Sequence, residues 1–486
     1  MWNAERIERP SSLTLAEADR TRPFNSTFRT PHSALFRGGA VMTWDSRLVS
    51  EALALSAPRG LRFTGVTTDT RHLAPGTLFV ALKGERFDAH NFLADAKARG
   101  AAGAVVRRGT PAVDGLPFFE VADTLAALGM LGRARRRLLP SHSPVIAVTG
   151  SSGKTSTKEM IRAALATKWR VHATAGNLNN LVGVPLTLLE APDDAQALVV
   201  EAGASVPGEI ARLRGIIEPT VAVVTNVSYA HVAGFGSLEG VMREKLALVE
   251  GTPVAVVGTE PPTLGAAARQ LARTIVAGSD PAADVHPASA ELDDAGQPRI
   301  RWAGAEVTLP VVGFHQVENA MLAAAVAREA GADPARALAA LRDVRLPPGR
   351  GSVLSVRGLT IIDDTYNANP SSLRWAVRFA HWLAARRGRP LAVVVGTMLE
   401  LGAESARLHA AAAAEIVALR PTLIGAVGEF AAAFAALQPR MDAHLVTAPD
   451  AATLGPRLRA ALRGDEVVLL KASRGVALER VLADLN

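Results

Sequence analysis

The strongest constraint on the fold is a set of apolar runs that do not alternate with polar residues. "VIAVT" (Val145–Thr149), "ALVVEAGA", "TVAVVTNV" and "TPVAVVG" come first, and "LAVVVG", "TLIGAVG" and "EVVLLKAS" repeat the pattern nearer the C-terminus. A strand with one wet face reads apolar, polar, apolar. An unbroken run needs cover on both faces, which is the state of strands in a parallel sheet. Parallel neighbours need crossover connections, and helical spacing lies between the runs. In "STKEMIRAAL", Met160, Ile161, Ala164 and Leu165 fall on one side, and His409–Leu419 is a second such stretch. The class is therefore α/β, and 486 residues are too many for one ordinary core.

Breaks in the pattern suggest the boundaries. "PSHSP" (Pro140–Pro144) and "PPGRGS" (Pro347–Ser352) read as junctions, giving domains at 42–140, 141–346 and 347–486. The first of these has short strands, "TLFVAL" and "AGAVV", among Ala-rich helical segments. Residues 1–41 have neither period and are expected to be a disordered or non-native extension, with Met42, before "TWDSRLVSEALAL", a candidate start. They also lack the apolar core of a secretory signal, so a cytoplasmic enzyme is expected.

Composition removes several functions. A net charge of +7 is spread along the chain and aromatics make up 5%, which argues against a nucleic-acid groove with stacking rings. There is no cysteine, hence no disulfide, thiolate catalysis or cysteine-bound metal. No apolar run reaches the roughly 18 residues of a membrane span. Arginine outnumbers lysine heavily, so each retained lysine raises a question, because arginine cannot supply a compact, modifiable amine.

One of those lysines lies in "VTGSSGKTSTK" (Val148–Lys158), between the "VIAVT" strand and an amphipathic helix. Gly150, Ser151, Ser152, Gly153, Lys154, Thr155 and Ser156 thus form a phosphate loop in its required place. Val148 stands where the longer motif has glycine. Lys154 can reach the β- and γ-phosphates, and the Thr155 hydroxyl can ligate Mg²⁺. Glu201 ends a buried strand, His231 follows another, and Lys245 lies on a helical segment. Together they are candidates for metal binding, Lys245 after reaction with CO₂ to a carbamate. Taken singly, each also fits an ordinary surface or capping role.

With these features in hand, the chain resembles the Mur ligase family of ATP-dependent peptidoglycan enzymes over almost all of Met42–Asn486. "GNLNNLVGVPLTLL", with Asn177 and Asn180, is similar to the family's Asn-rich loop, and "GFHQVENAMLAAAVA" to its G-x-H-x-x-x-N segment. "DDTYNANPSS", "GTMLELG" and "KASRG" resemble the member that adds D-alanyl-D-alanine. The resemblance implies a mixed α/β uridine-nucleotide domain, a central P-loop ATPase-like parallel sheet and a C-terminal Rossmann-like domain. It places Thr68, Asp69, Thr70 and Arg71 at the UDP group, Asn319 near the adenine, and Arg350 and Asp364 on ATP, with Asn367, Asn369 and Lys471 in support.

Thr70, Ala89, Ala247, Thr397 and Ala472 depart from the family pattern. The implied reaction joins D-alanyl-D-alanine to UDP-MurNAc-tripeptide through an acyl phosphate, with ATP and Mg²⁺, in a monomer. The third residue of the tripeptide is left open between meso-diaminopimelate and L-lysine. A third-residue ligase, a folylpolyglutamate-type synthetase and a nucleotide switch are the rivals. "DDTYNANP", the "DTR" segment and the Glu201, His231 and Lys245 set argue against them in turn.

Overall fold

The computed structural model describes residues 44–56, 60–438 and 441–485; the expectations for 1–41 and for Met42 fall outside them. Three main sheets arise from three successive stretches of chain. The first has four parallel strands in chain order: Val66–Thr67, Leu78–Val80, Gly103–Arg107 and Phe118–Val121.

The second sheet has six strands, ordered Arg273–Val276, Val254–Val257, Val221–Val224, Val145–Thr149, Ala197–Glu201 and Val171–Ala173, all parallel. The third has Ser352–Val356 antiparallel at its edge. Leu359–Asp363, Val467–Lys471, Leu391–Val395, Leu423–Val427 and His444–Ala448 follow in parallel.

Burial explains the unbroken runs. Ile146 and Val148 pack with Met160, Ile161 and Met321 on one face of the second sheet, while Val145 and Ala147 pack with Leu188 and Ile210 on the other. In the third sheet Val393 and Val395 meet Phe430 and Phe434, and Ala392 and Val394 meet Leu454 and Leu458. Each fully covered valine or leucine contributes about 1.5–3 kcal/mol. A polar residue on either face would forfeit that.

Helix Thr124–Arg137 joins the first stretch to the second by packing on helix Gly183–Leu189. A Cβ at Gly132 would lie 2.8 Å from Pro185 Cα, so only glycine allows this approach. Buried Arg135 fastens the contact, donating to the Ala191 carbonyl at 2.6 Å and to Asp193 at 2.9 Å. A three-stranded antiparallel sheet, Ser289–Leu292, Pro298–Trp302 and Ala305–Thr308, lies beyond the second sheet. Its strands alternate exposed and covered positions, so a search for unbroken apolar runs passes over it. Among the described residues no helix is long and apolar enough to cross a membrane.

Candidate active site

Strand register builds the site. Val148 pairs with Glu201 and Thr149 with Val224, so the ends of three adjacent parallel strands lie side by side. The segments leaving them, Gly150–Ser152, the turn after Glu201 and Thr225–Asn226, share one edge of the sheet, where ligands of such folds bind.

Two glycines shape the loop. Gly150 has φ +147° and a Cβ there would lie 1.9 Å from Thr225 Oγ1. Gly153, at φ +78°, caps helix Lys154–Leu165 and brings the chain onto Asn319. The loop is pinned from the neighbouring strand end. Ser151 N donates to the Asn226 carbonyl and Ser152 N to Asn226 Oδ1, both at 3.0 Å. Thr225 Oγ1 donates to the Ser152 carbonyl at 2.5 Å.

Lys154 Nζ turns back to the Gly150 carbonyl at 2.8 Å. Burial lowers its pKa; Glu201 and Glu400 oppose the shift and the Arg350 charge adds to it. An ammonium there, beside a helix N-terminus, makes the loop favourable to an anion.

Around the loop the predicted groups converge. Buried Glu201 accepts from Thr155 Oγ1 and from Asn179 Nδ2, each at 2.9 Å. Lys245, on helix Leu238–Leu246, is buried, with no hydrogen bond to Nζ among the described residues and only the Phe235 ring 5.6 Å away. Burial, with the Lys154 charge, brings its pKa down to about 7; Glu244 and Glu209 pull the other way. Glu244 does not neutralise it by contact, because it accepts from Gly208 N and Ile210 N at 2.8 Å. His231 has a left-handed backbone, φ +56°, and its Nδ1 meets the Glu400 carboxylate at ion-pair distance without the alignment of a hydrogen bond.

The third sheet closes the other side. Asn369 caps helix Pro370–Arg387 and donates from Nδ2 to Ser152 Oγ at 2.8 Å. Asp364 pairs with buried Lys471 at 2.5 Å, and Lys471 also donates to the Asn367 carbonyl at 2.9 Å. The Arg350 guanidinium lies 3.9 Å from the centre of the Tyr366 ring. Asn319 donates to Gln316 of its own helix, His315–Glu329, at 2.8 Å and accepts from Thr157 Oγ1 at 3.0 Å, which holds that helix against helix Lys154–Leu165. His315 is partly exposed, but its Nδ1 is buried and without a partner among the described residues, and its pKa is pushed down to about 4 by desolvation, with Asp364 opposing and Lys471 adding.

Other predicted residues make only local contacts. Asp69 caps the turn Thr70–His72 and holds Arg71 Nη2 at 2.7 Å, which depresses the Asp69 pKa to about 2. These residues follow strand Val66–Thr67 of the first sheet. Asn180 Oδ1 accepts from Val182 N and Gly183 N at 3.1 and 2.9 Å, in the turn that leads into helix Gly183–Leu189, and Asn177 is exposed.

With the loop, carboxylate and lysine assembled, comparison with known proteins becomes decisive. Residues 148–327 match the Mur ligase middle domain and 349–474 the Mur ligase glutamate ligase domain. The UDP-N-acetylmuramoyl-tripeptide–D-alanyl-D-alanine ligase of Escherichia coli is 36% identical over 435 residues, covering 87% of this chain and 93% of that one. The chain belongs to the Mur ligase family. Among solved structures, MurF from Acinetobacter baumannii superposes with a TM-score of 0.82 at 33% identity, covering 92% of this chain and 99% of that one. MurF from Thermotoga maritima, in complex with ADP, gives 0.75 at 28%, covering 87% and 96%.

Within this Mur ligase, sequence reasoning missed three site residues. Asn179, not Asn177 or Asn180, reaches Glu201. Three asparagines in "GNLNN" offered no signal to choose between them. His315 and Glu400 lay inside recognised motifs, yet burial and contact across sheets are invisible to spacing.

Proposed function

We infer that this chain joins D-alanyl-D-alanine to UDP-MurNAc-tripeptide at the expense of ATP. The tripeptide carboxylate is a poor electrophile; transfer of the γ-phosphoryl group onto it gives an acyl phosphate that the dipeptide amine attacks, releasing phosphate. The observation that carries this reading is Lys245, buried, with no hydrogen bond to Nζ among the described residues, and near enough to the phosphate-loop Lys154 for that charge to help lower its pKa. A loop that only binds nucleotide has no need of it.

Lys154 and the amides at the start of helix Lys154–Leu165 neutralise charge on the transferring group. The donors present fit Mg²⁺, a hard cation that takes few protein oxygens and keeps water and phosphate ligands. Thr155 and Glu201, already in contact, would hold one ion. His231 and Lys245 would serve beside the substrate carboxylate. Bound Mg²⁺ supplies charge neutralisation at the phosphate oxygens.

Lys245 is suited to carbamate formation because its amine is neutral in part near pH 7 and Nζ has no hydrogen-bond partner among the described residues. Its nitrogen attacks CO₂ and loses a proton to solvent, turning a buried cation into an oxygen ligand. Arg350 and Asp364 serve ATP, Asn319 lies toward its base, and Thr68–Arg71 receive the uridine nucleotide. Asn177, exposed in the Asn-rich loop, remains a substrate contact in this reading, and Asn180 sets that loop's path. A cytoplasmic monomer completes the reading.

The test is ADP release with UDP-MurNAc-tripeptide in three arms: with D-alanyl-D-alanine, without it, and with single D-alanine. Release only in the first arm is expected; release independent of the dipeptide would sink the assignment.

A further inference from the structure

Glu400 has no part in the chemistry above, yet its carboxylate crosses from the third sheet to His231. The loop that carries it is fastened on both sides. Met398 N donates to His409 Nε2 and Leu399 N to Ser473 Oγ, both at 2.9 Å, while Met398 and Leu401 are buried. Between them Glu400 adopts φ +66°, an uncommon conformation for a non-glycine residue that lifts its side chain out of the loop. Its carbonyl accepts from Ala233 N at 3.0 Å, and Gly402 comes so close that a Cβ would lie 3.1 Å from Ala233 Cα.

Two strands' worth of loop, one from each sheet, are thus joined through backbone, and the carboxylate is laid on the imidazole in addition.

We propose that Glu400 is a positioning residue for the ligase reaction: it fixes the His231 ring from across the two sheets, so that His231 faces the substrate carboxylate only while the third sheet is docked. The proposal rests on the role given to His231 above. A carboxylate lying against Nδ1 favours the tautomer and ring orientation that present an Nδ1 proton to it and leave Nε2 as a lone pair. The backbone bond and the Gly402 contact would survive loss of the side chain, which is half-exposed, so the junction should persist without it.

The experiment uses Glu400→Ala, Glu400→Asp, His231→Ala and the Glu400→Ala/His231→Ala double variant of the full chain. Dipeptide-dependent ADP release gives kcat and KM, and ¹⁵N NMR of the His231 ring is recorded without nucleotide or metal. Glu400→Ala should lower kcat about 10–100-fold with KM for ATP unchanged. It should add nothing in the His231→Ala background, and Glu400→Asp should recover part of the loss.

In the spectrum, the wild type should show one tautomer protonated at Nδ1, and Glu400→Ala a mixture. Unchanged kcat, multiplicative losses in the double variant, or identical spectra would overturn the proposal. A wild type that releases no ADP with the dipeptide would instead refute the ligase reading, and the spectra alone would then decide the positioning.

Discussion

Thr155 Oγ1 donates to Glu201 Oε2 at 2.9 Å, so the loop hydroxyl and the carboxylate of the adjacent strand already share one place. Parallel register puts them there. Glu201→Gln keeps the shape and one accepting oxygen but removes the charge. It should raise the Mg²⁺ concentration for half-maximal ADP release by at least about tenfold, with the thermal midpoint nearly unchanged. An unaltered Mg²⁺ titration would remove Glu201 from the metal site.

Lys154→Ala separates catalysis from stability. The side chain's ammonium is lowered in pKa by burial, so its removal relieves a desolvation cost while only one hydrogen bond, to Gly150, is lost. Turnover should fall about 10²–10³-fold, the scale of losing one charge-stabilising donor, and the melting temperature should stay within a few degrees. Paired activity and melting measurements check both halves.

Gly153 tests the loop's geometry. Its φ of +78° and the 2.7 Å approach of a would-be Cβ to Asn319 Oδ1 leave no room for a side chain. Gly153→Ala should cost about 1–2 kcal/mol from backbone strain alone and abolish ATP binding. Gly215, inside helix Glu209–Ile217 with nothing within 4 Å of a Cβ, is the control. Gly215→Ala should stabilise by about 0.4–1 kcal/mol. Urea denaturation and calorimetric ATP titration read these outcomes.

His315 gives the pH dependence. Its folded pKa of about 4 lies below the ordinary value of 6.5, so between those values the unfolded chain holds more protons and unfolding takes one up. The stability from this group is complete above pH 6.5 and is lost as pH falls through about 4. His315→Asn should therefore flatten the fall in unfolding free energy between pH 6.5 and 4, as measured by urea titrations across that range. An equally steep fall in the variant would show that other groups carry it.

Lys245→Ala should lose nearly all turnover and recover part of it when short carboxylic acids are added, because they can replace the oxygens of a carbamate. Full activity without additives would dismiss that modification.

Much of this fold can be read from sequence, for one physical reason. The seven apolar runs quoted at the outset all contain strands because each strand is covered on both faces. The sheet of Ser289–Thr308 escapes because it is covered on one face only and carries Arg299, Arg301 and Glu306 on the other. Within the site, Lys154, Thr155 and Glu201 were legible because strand ends and a glycine loop fix where they lie. Asn179 was not, since adjacent asparagines differ only in which way the backbone turns them. Glu400 was harder still, and Asn369 came only as a supporting residue of the resemblance, with no partner named. Their partners lie in another sheet, and no local period encodes that distance.

The bond between Asn369 and Ser152 spans 217 positions of sequence. Each sheet can close on its own stretch as the chain leaves the ribosome, but this contact cannot form until the third sheet has begun to fold. A nascent chain that already displays the phosphate loop therefore lacks the partner that seals it. Loop closure over such a span is slow and entropically costly. The order of synthesis thus withholds a complete triphosphate site from the unfinished enzyme, and ATP meets that site whole only once the last sheet has joined.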